Sequence, residues 1–247
     1  MTTAPAADQR RLLDLQALDT RLDQIAHKRA NHPVLARIVA LGAQSADLHA
    51  ALVTSQTARN DLRRELTKAE SDVEQVRSRA ARDQARLDSG SGTPKDLQAL
   101  TSELATLARR QGDLEEVELE IMERLEAHES ALAEIETAHA ALEDARAVAT
   151  AERDAAFAEL DTESARVRAE RDALAAEGEP SLLALYEKLR SRLRGLAVAR
   201  LLHGRSEASG LTIPPTELAR IRARSPDEIV YCEDSGRILV RSEDSWS

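Results

Sequence analysis

Two long stretches of this chain lack the residues that end a helix. From Val34 to Asp88 there is no proline and one glycine, Gly42, and from Lys95 to Glu177 there is again no proline and only Gly112. Apolar residues recur through both at alternating spacings of three and four. In the second stretch the stripe runs Leu97, Leu100, Leu104, Leu107, Gln111, Leu114, Glu118, Ile121, Leu125, His128, Leu132, Ile135, His139, Leu142, and continues with Arg146, Ala149, Arg153, Ala156, Leu160, Glu163, Val167, Glu170 and Leu174. In the first it includes Ile38, Leu41, Ser45, Leu48, Leu52, Leu62, Leu66, Ala69, Val73 and Val76. Such a stripe keeps facing a partner helix in a left-handed supercoil. The seam is richest in leucine near the segment that separates the stretches.

That segment, Ser89-Gly90-Ser91-Gly92-Thr93-Pro94, is the most turn-like in the protein. Asp8–Asp88 and Leu97–Glu177 flank it with equal lengths of 81 residues, as an antiparallel hairpin requires. Thr93-Pro94-Lys95-Asp96 restarts the helix, with threonine as N-cap, proline at the first helical position and aspartate reaching back. At about 1.5 Å per residue, each arm is expected to reach on the order of 120 Å if straight. Pro33 is expected to break the first arm, leaving a short helix over about residues 8–31.

Composition supports this reading. Aromatics make up 2% of the chain, namely Phe157, Tyr186, Tyr231 and Trp246, while charged residues reach 32% and the net charge is −10. Four aromatics cannot fill the core of a large globular enzyme. The regular leucines argue against a disordered chain. The first eight residues hold no apolar run of a secretion signal, and no 18 consecutive apolar residues span a membrane. Cytoplasmic localisation without membrane association is expected. The single cysteine, Cys232, excludes an intrachain disulfide.

After Pro180 the pattern changes. Residues 181–194 read as a short amphipathic helix with Leu182, Leu185, Tyr186 and Leu189 on one face. Leu211–Ile213, Glu228–Tyr231 and Arg237–Arg241 read as strands, with a helix over Pro215–Arg222. The tail also holds two related turns: Ser206-Glu-Ala-Ser209-Gly210, then Cys232-Glu-Asp-Ser235-Gly236. Cysteine at all four spaced positions would give the paired knuckles of a zinc ribbon. Serine is a poor substitute, because its hydroxyl does not ionise near neutral pH.

The turn-proximal segment Asp96-Leu-Gln-Ala-Leu100 through Leu107-Ala-Arg-Arg-Gln-Gly-Asp-Leu-Glu-Glu116, the run Leu185-Tyr-Glu-Lys-Leu-Arg190, and Asp227-Glu-Ile-Val-Tyr-Cys232-Glu-Asp-Ser-Gly-Arg-Ile-Leu-Val-Arg241 together resemble a known family. It comprises bacterial coiled-coil-hairpin proteins with a C-terminal C4-type zinc ribbon, actinobacterial members included. The resemblance implies a mainly α fold: a hairpin over 1–178, then a linker helix and zinc-ribbon-like β module over 179–247. It places the family's zinc ligands at Ser206, Ser209, Cys232 and Ser235, so three of four thiols are replaced and bound zinc is not expected. It further implies a non-enzymatic adaptor, in a family associated with transcription and RNA-related regulation, whose ribbons are proposed to touch nucleic acid.

Charge bears on that last point. Residues 195–247 hold seven Arg/Lys and eight Asp/Glu, whereas nucleic-acid modules usually show a basic surplus. Lys188, Arg190, Arg192, Arg194, Arg200 and Arg205 form a basic stretch at the junction, and Arg220, Arg222 and Arg224 a second cluster. These read either as solvated helix ends or as a phosphate-contacting collar; without interleaved aromatics, base stacking is not supported. The tip residues Thr93, Pro94, Lys95 and Asp96 are candidates for protein contact, though the bland reading is a capped turn. Asp88 and Asp96 flank the turn eight residues apart, unlike the close acidic pair of factors that insert a coiled-coil tip into RNA polymerase. His128 and His139 are expected to be tolerated polar seam positions. His203 lies three residues before the first knuckle, but with one cysteine it leaves a zinc site short of ligands. The expected function is a binding adaptor with a protein partner and nucleic acid as a second candidate partner. The alternative is a self-associating coiled-coil spacer, and the oligomeric state is expected to be monomer or coil-mediated dimer.

Overall fold

The computed structural model describes residues 3–246; Met1, Thr2 and Ser247, at the outer bounds of the two expected domains, lie outside the described residues. Among the described residues five α-helices and four strands follow one another: α1 (Ala6–Ala30), α2 (Pro33–Asp88), α3 (Pro94–Ala176), α4 (Pro180–Arg192), β1 (Val198–Leu202), β2 (Arg205–Ser206), α5 (Pro215–Ala223), β3 (Val230–Tyr231) and β4 (Ile238–Val240), then a 3₁₀ turn at Glu243–Ser245. Helix breaks fall at Asn31 and His32, just before Pro33, and over residues 89–93 with their two glycines. Packing divides the chain into Ala36–Thr150 and a second unit of Met1–Leu35 with Ala151–Ser247.

In the first unit α2 and α3 form the antiparallel hairpin. Cross-helix pairs descend along α3 as they ascend α2: Ser45 with His139, Ser55 with His128, Arg77 with Glu115 and Arg79 with Glu103. Ser45, Leu62, Ala69, Val73 and Val76 of α2, and Leu107, Ile121, Leu132 and Ala149 of α3, are buried. All lie on the stripes read from the sequence. Arg146 and, in the other unit, Glu170 depart from the expected stripe and are exposed, while Ala145 and Arg171 turn partly inward. An α-helix has 3.6 residues per turn, so its inner face drifts off a strict 3.5 repeat unless apolar side chains pin it. Here alanine and charged residues pin it weakly.

At the tip Gly90 and Gly92 adopt φ of 65° and 146°. Thr93 and Asp96 cap α3 reciprocally: the Asp96 amide donates to Thr93 Oγ1 at 3.3 Å, and the Thr93 amide to Asp96 Oδ2 at 3.0 Å. The Thr93 hydroxyl holds the Asp96 carboxyl below its usual range.

In the second unit the strands form one sheet of order β2-β1-β4-β3, with β1 and β4 parallel and the outer pairs antiparallel. Strand β1 went unread in the sequence. Leu211–Ile213, expected as a strand, makes only an isolated bridge between Arg205 and Thr212. Alternation gives this small sheet two apolar faces. Val198, Ile238 and Val240 pack with Leu12 and Leu15 of α1 and Leu182, Tyr186 and Leu189 of α4. Ala199, Leu201, Val230 and Leu239 pack on the other side with Ile213 and Ile221 of α5, and with Cys232.

Thus the tail is not packed alone: the first helix of the chain covers one face of the last sheet. Gln16 of α1 accepts from the Ala197 amide at 2.7 Å and donates to the Gly195 carbonyl at 2.8 Å. Gln9 donates to the carbonyls of Ala4 and Pro226, and the Ala4 amide bonds to Asp227 O at 2.8 Å.

Candidate functional site

The two degenerate knuckles have the same backbone form. The Gly210 amide donates to Ser206 O and the Gly236 amide to Cys232 O, both at 2.8 Å. Gly210 and Gly236 stand at φ of 67° and 68°, a left-handed conformation that any side chain would strain. The topology brings both turns to one end of the sheet. The second knuckle leads into β4; β2 runs antiparallel to β1, and so carries the first knuckle back towards the end where the parallel pair β1 and β4 begins.

The four family ligand positions therefore keep a ribbon backbone without ribbon chemistry. Ser206 is 1% exposed and Cys232 4%. The Oγ atoms of Ser206 and Ser235 are buried with no hydrogen-bond partner in the protein, and Ser209 Oγ accepts from the Leu211 amide at 3.3 Å. One thiol and three neutral hydroxyls do not fit Zn²⁺, which is held by thiolate, imidazole or carboxylate. Among the described residues no group of three or more His, Cys, Asp or Glu could hold a metal ion. His203 sits at φ 48°, with its amide on Asp244 O.

Most of the nine collar candidates are engaged. Arg190 Nη2 lies 2.9 Å from both carboxylate oxygens of Asp23. Arg205 donates to Gly210 O at 2.7 Å across the first knuckle. Arg220 pairs with Glu233 and Arg224 with Glu228, and the Arg222 guanidinium lies 5.5 Å from the centre of the Trp246 ring. Lys188, Arg192, Arg194 and Arg200 are exposed. These four lie on α4, the loop after it and β1.

The sequence did not point to the buried polar cluster behind this region. Asp19 of α1, 2% exposed, accepts from Tyr186 at 2.7 Å and from Arg171 Nε at 3.2 Å, with Arg190 Nε 3.5 Å away. Arg171 also pairs with Glu187. Arg241, after β4, donates to five carbonyls: Ile221, Arg224, Ser225, Pro226 and Glu228. Its burial pulls its pKa down. A periodicity reading finds apolar stripes, whereas lone polar residues inside them give no periodic signal. On the seam, His128 Nε2 lies 2.9 Å from Ser55 O, and the rings of His49 and His139 lie 5.7 Å apart.

An antiparallel α-helical hairpin joined to a ribbon-like sheet with two glycine knuckles defines a class: coiled-coil hairpin proteins with a C-terminal zinc-ribbon module. The chain belongs to the family described as the CT398-like coiled coil hairpin domain, matched over residues 15–194, and its tail matches the C4-type zinc ribbon domain over residues 205–239. It is 35% identical to an uncharacterised protein of Mycobacterium tuberculosis over 97% of this chain and 98% of that one. A Mycobacterium leprae protein, also uncharacterised, is 32% identical over 92% of this chain and 97% of its own length. A solved structure from Mycobacterium smegmatis is similar with a TM-score of 0.86 and 34% identity, covering 97% of this chain and all of that one. CT398 from Chlamydia trachomatis shares the fold at a TM-score of 0.69 and 16% identity, over 96% of this chain and 98% of its own. No helix among the described residues is long and apolar enough to cross a membrane.

Proposed function

We propose that the protein is a non-enzymatic binding adaptor of the cytoplasm whose hairpin engages a protein partner. One observation carries this reading over that of a self-associating spacer. The apolar stripes of α2 and α3 are spent on each other, with Leu62, Val73 and Val76 of one helix and Leu107, Ile121 and Leu132 of the other buried within a single chain. The coil therefore needs no second copy to close its seam, and its outer faces stay available.

The ribbon-like module works without zinc. Its ligand positions hold one thiol, and each face of its sheet has an apolar cluster that supplies stability a small ribbon otherwise takes from metal. Lys188, Arg192, Arg194 and Arg200 form the surface that meets phosphate or acidic groups on protein or nucleic acid.

Light scattering at several concentrations, joined to partner capture from extract of the source cells, tests the reading. A concentration-independent monomer that retains a partner, at a level that changes when Pro94 and Lys95 or the outer hairpin faces are substituted, is the expected result. A concentration-dependent rod that retains no partner would favour the spacer. RNA or DNA binding that falls with salt and is lost on replacing Arg192, Arg194 and Arg200 with Ala would assign nucleic acid to the collar.

A further inference from the structure

The chain's net charge is not spread along it. Residues 111–150 of α3 carry twelve acids and two arginines, while residues 36–78 of α2 carry six acids and six bases. This part of the hairpin therefore holds nearly all of the chain's negative excess.

The densest part, residues 111–129, has eight acids against the single base Arg124. Glu115 and Glu129 pair with Arg77 and Arg63 of α2, and Arg124 is turned towards Glu65. Glu116, Glu120, Glu123 and Glu126 are exposed.

Two large apolar side chains emerge in the same place. Leu119 is 59% exposed and Met122 is 46% exposed. They stand three apart, so they are neighbours on the helix surface, and they lie away from the seam residues Leu114, Ile121 and Leu125. Glu116 precedes Leu119 by three and Glu123 follows it by four, while Glu126 follows Met122 by four. The result is an apolar pair framed by carboxylates on the outer face of an already paired helix. Neither side chain serves the hairpin seam, and each leaves apolar surface in water.

We propose that this face of α3 docks a basic amphipathic helix of a partner protein, which lies along the hairpin as a third helix. Apolar residues of the partner at i and i+3 or i+4 cover Leu119 and Met122, and its flanking arginines or lysines meet Glu116, Glu123 and Glu126. Charge complementarity selects this occupant. A nucleic-acid backbone is repelled by the same carboxylates, and an apolar helix without cations leaves them uncompensated. A second copy of this chain docking through the same face would bring its own acidic segment against this one. The inference rests on the adaptor reading and names the partner class for one surface of it.

The experiment uses the full chain with a photo-crosslinking amino acid placed singly at position 119 or 122, and as controls at 39 and 95, in extract of the source cells. The expected result is a crosslink from 119 and 122 to a protein segment with a surplus of Arg and Lys and helical apolar spacing. Its yield should fall about tenfold in Glu116→Lys/Glu123→Lys/Glu126→Lys, the sum of several modest surface pairs, and fall with added salt. Far-ultraviolet circular dichroism matching the parent would show that the triple variant keeps its helices. Crosslinks from 119 and 122 to an acidic segment, to this chain itself or to nucleic acid would overturn the proposal. So would crosslinks confined to position 39 or 95, which would leave the adaptor reading standing. Absence of crosslinks from all four positions would overturn both.

Discussion

Tyr186 donates its hydroxyl to Asp19 Oδ2 across 2.7 Å, and this bond fastens the first helix of the chain to the linker helix near its end. Asp19 is 2% exposed and is compensated on its other oxygen by Arg171. Removing one partner from a buried charge cluster costs more than the bond itself contributes, because what remains is left desolvated and unpaired. Tyr186→Phe is expected to destabilise the full chain by about 1–3 kcal/mol, and Asp19→Ala by about 3–5 kcal/mol. Denaturant unfolding with the exposed Asp14→Ala as reference measures both. Equal midpoints for Asp14→Ala and Asp19→Ala would remove the network from the account of stability.

Burial first, and the Asp19 carboxylate second, push the Tyr186 hydroxyl well above its ordinary pKa of 10.0. The folded state thus holds this proton more tightly than the unfolded state. Its contribution is full below pH 10.0 and is lost as pH rises towards the raised folded value. Absorbance titration of Tyr231→Phe, which leaves Tyr186 as the one tyrosine of the chain, should show ionisation well above pH 10.0 in the folded protein. Ionisation of Tyr186 in its ordinary pH range in the native protein would contradict the geometry.

The α1–sheet clasp is testable through Gln16. Gln16→Leu puts an apolar side chain of similar bulk in its place but strands the Ala197 amide and the Gly195 carbonyl. The expected loss is about 1–3 kcal/mol. Trp246, the only tryptophan, packs against the second apolar cluster of the sheet, so its fluorescence reports this module. An unchanged fluorescence midpoint would show that α1 does not support the sheet.

The hairpin was readable because its signals are local and repeated. Stripe residues such as Leu62, Val73, Ile121 and Leu132 recur in register, and Thr93-Pro94-Lys95-Asp96 announces a helix start through four adjacent side chains. The sheet carries no comparable repetition. Strand β1 is five residues long and pairs with β4 some forty positions later, a partnership set by tertiary packing. Gln9, Gln16 and Asp19 sit on an otherwise ordinary amphipathic helix, and only their distant partners give them meaning. The collar shows the same limit. Spacing grouped Arg190 with Arg192 and Arg194, but Asp19 and Asp23, some 170 residues earlier, draw Arg190 into the fold.

The Asp96 carboxylate is held below its ordinary pKa of 3.8, chiefly by the Thr93 hydroxyl and then by the Thr93 amide. The cap therefore supports the turn above pH 3.8 and releases it as pH falls through the depressed value. Asp96→Asn should make the turn insensitive to acid in that window. Hydrogen exchange at the Thr93 and Asp96 amides, taken as protection relative to intrinsic exchange at each pH, is the measurement: protection lost at low pH in the parent, with a flat profile in the variant, is expected. A parent profile that is also flat would mean that the cap does not close the turn.

The last prediction separates the ribbon's backbone from its chemistry. Both glycine-backed knuckles persist, with matching 2.8 Å bonds at Gly210 and Gly236, so what the site lacks is thiolate. Ser206→Cys/Ser209→Cys/Ser235→Cys, joined to Cys232, should bind one zinc per chain through four sulfurs. Folding of the triple variant should become dependent on zinc and sensitive to chelator, while the parent stays indifferent to both. Placing cysteine at 206 and 235 would also give work to two positions whose hydroxyl oxygens are buried without hydrogen-bond partners. Metal analysis after purification without chelator, with the Trp246 signal followed during chelation, decides the matter. A triple variant that folds without taking up zinc would show that the knuckles no longer converge on a metal-sized site, and a parent that carries stoichiometric zinc would show that one thiol suffices here.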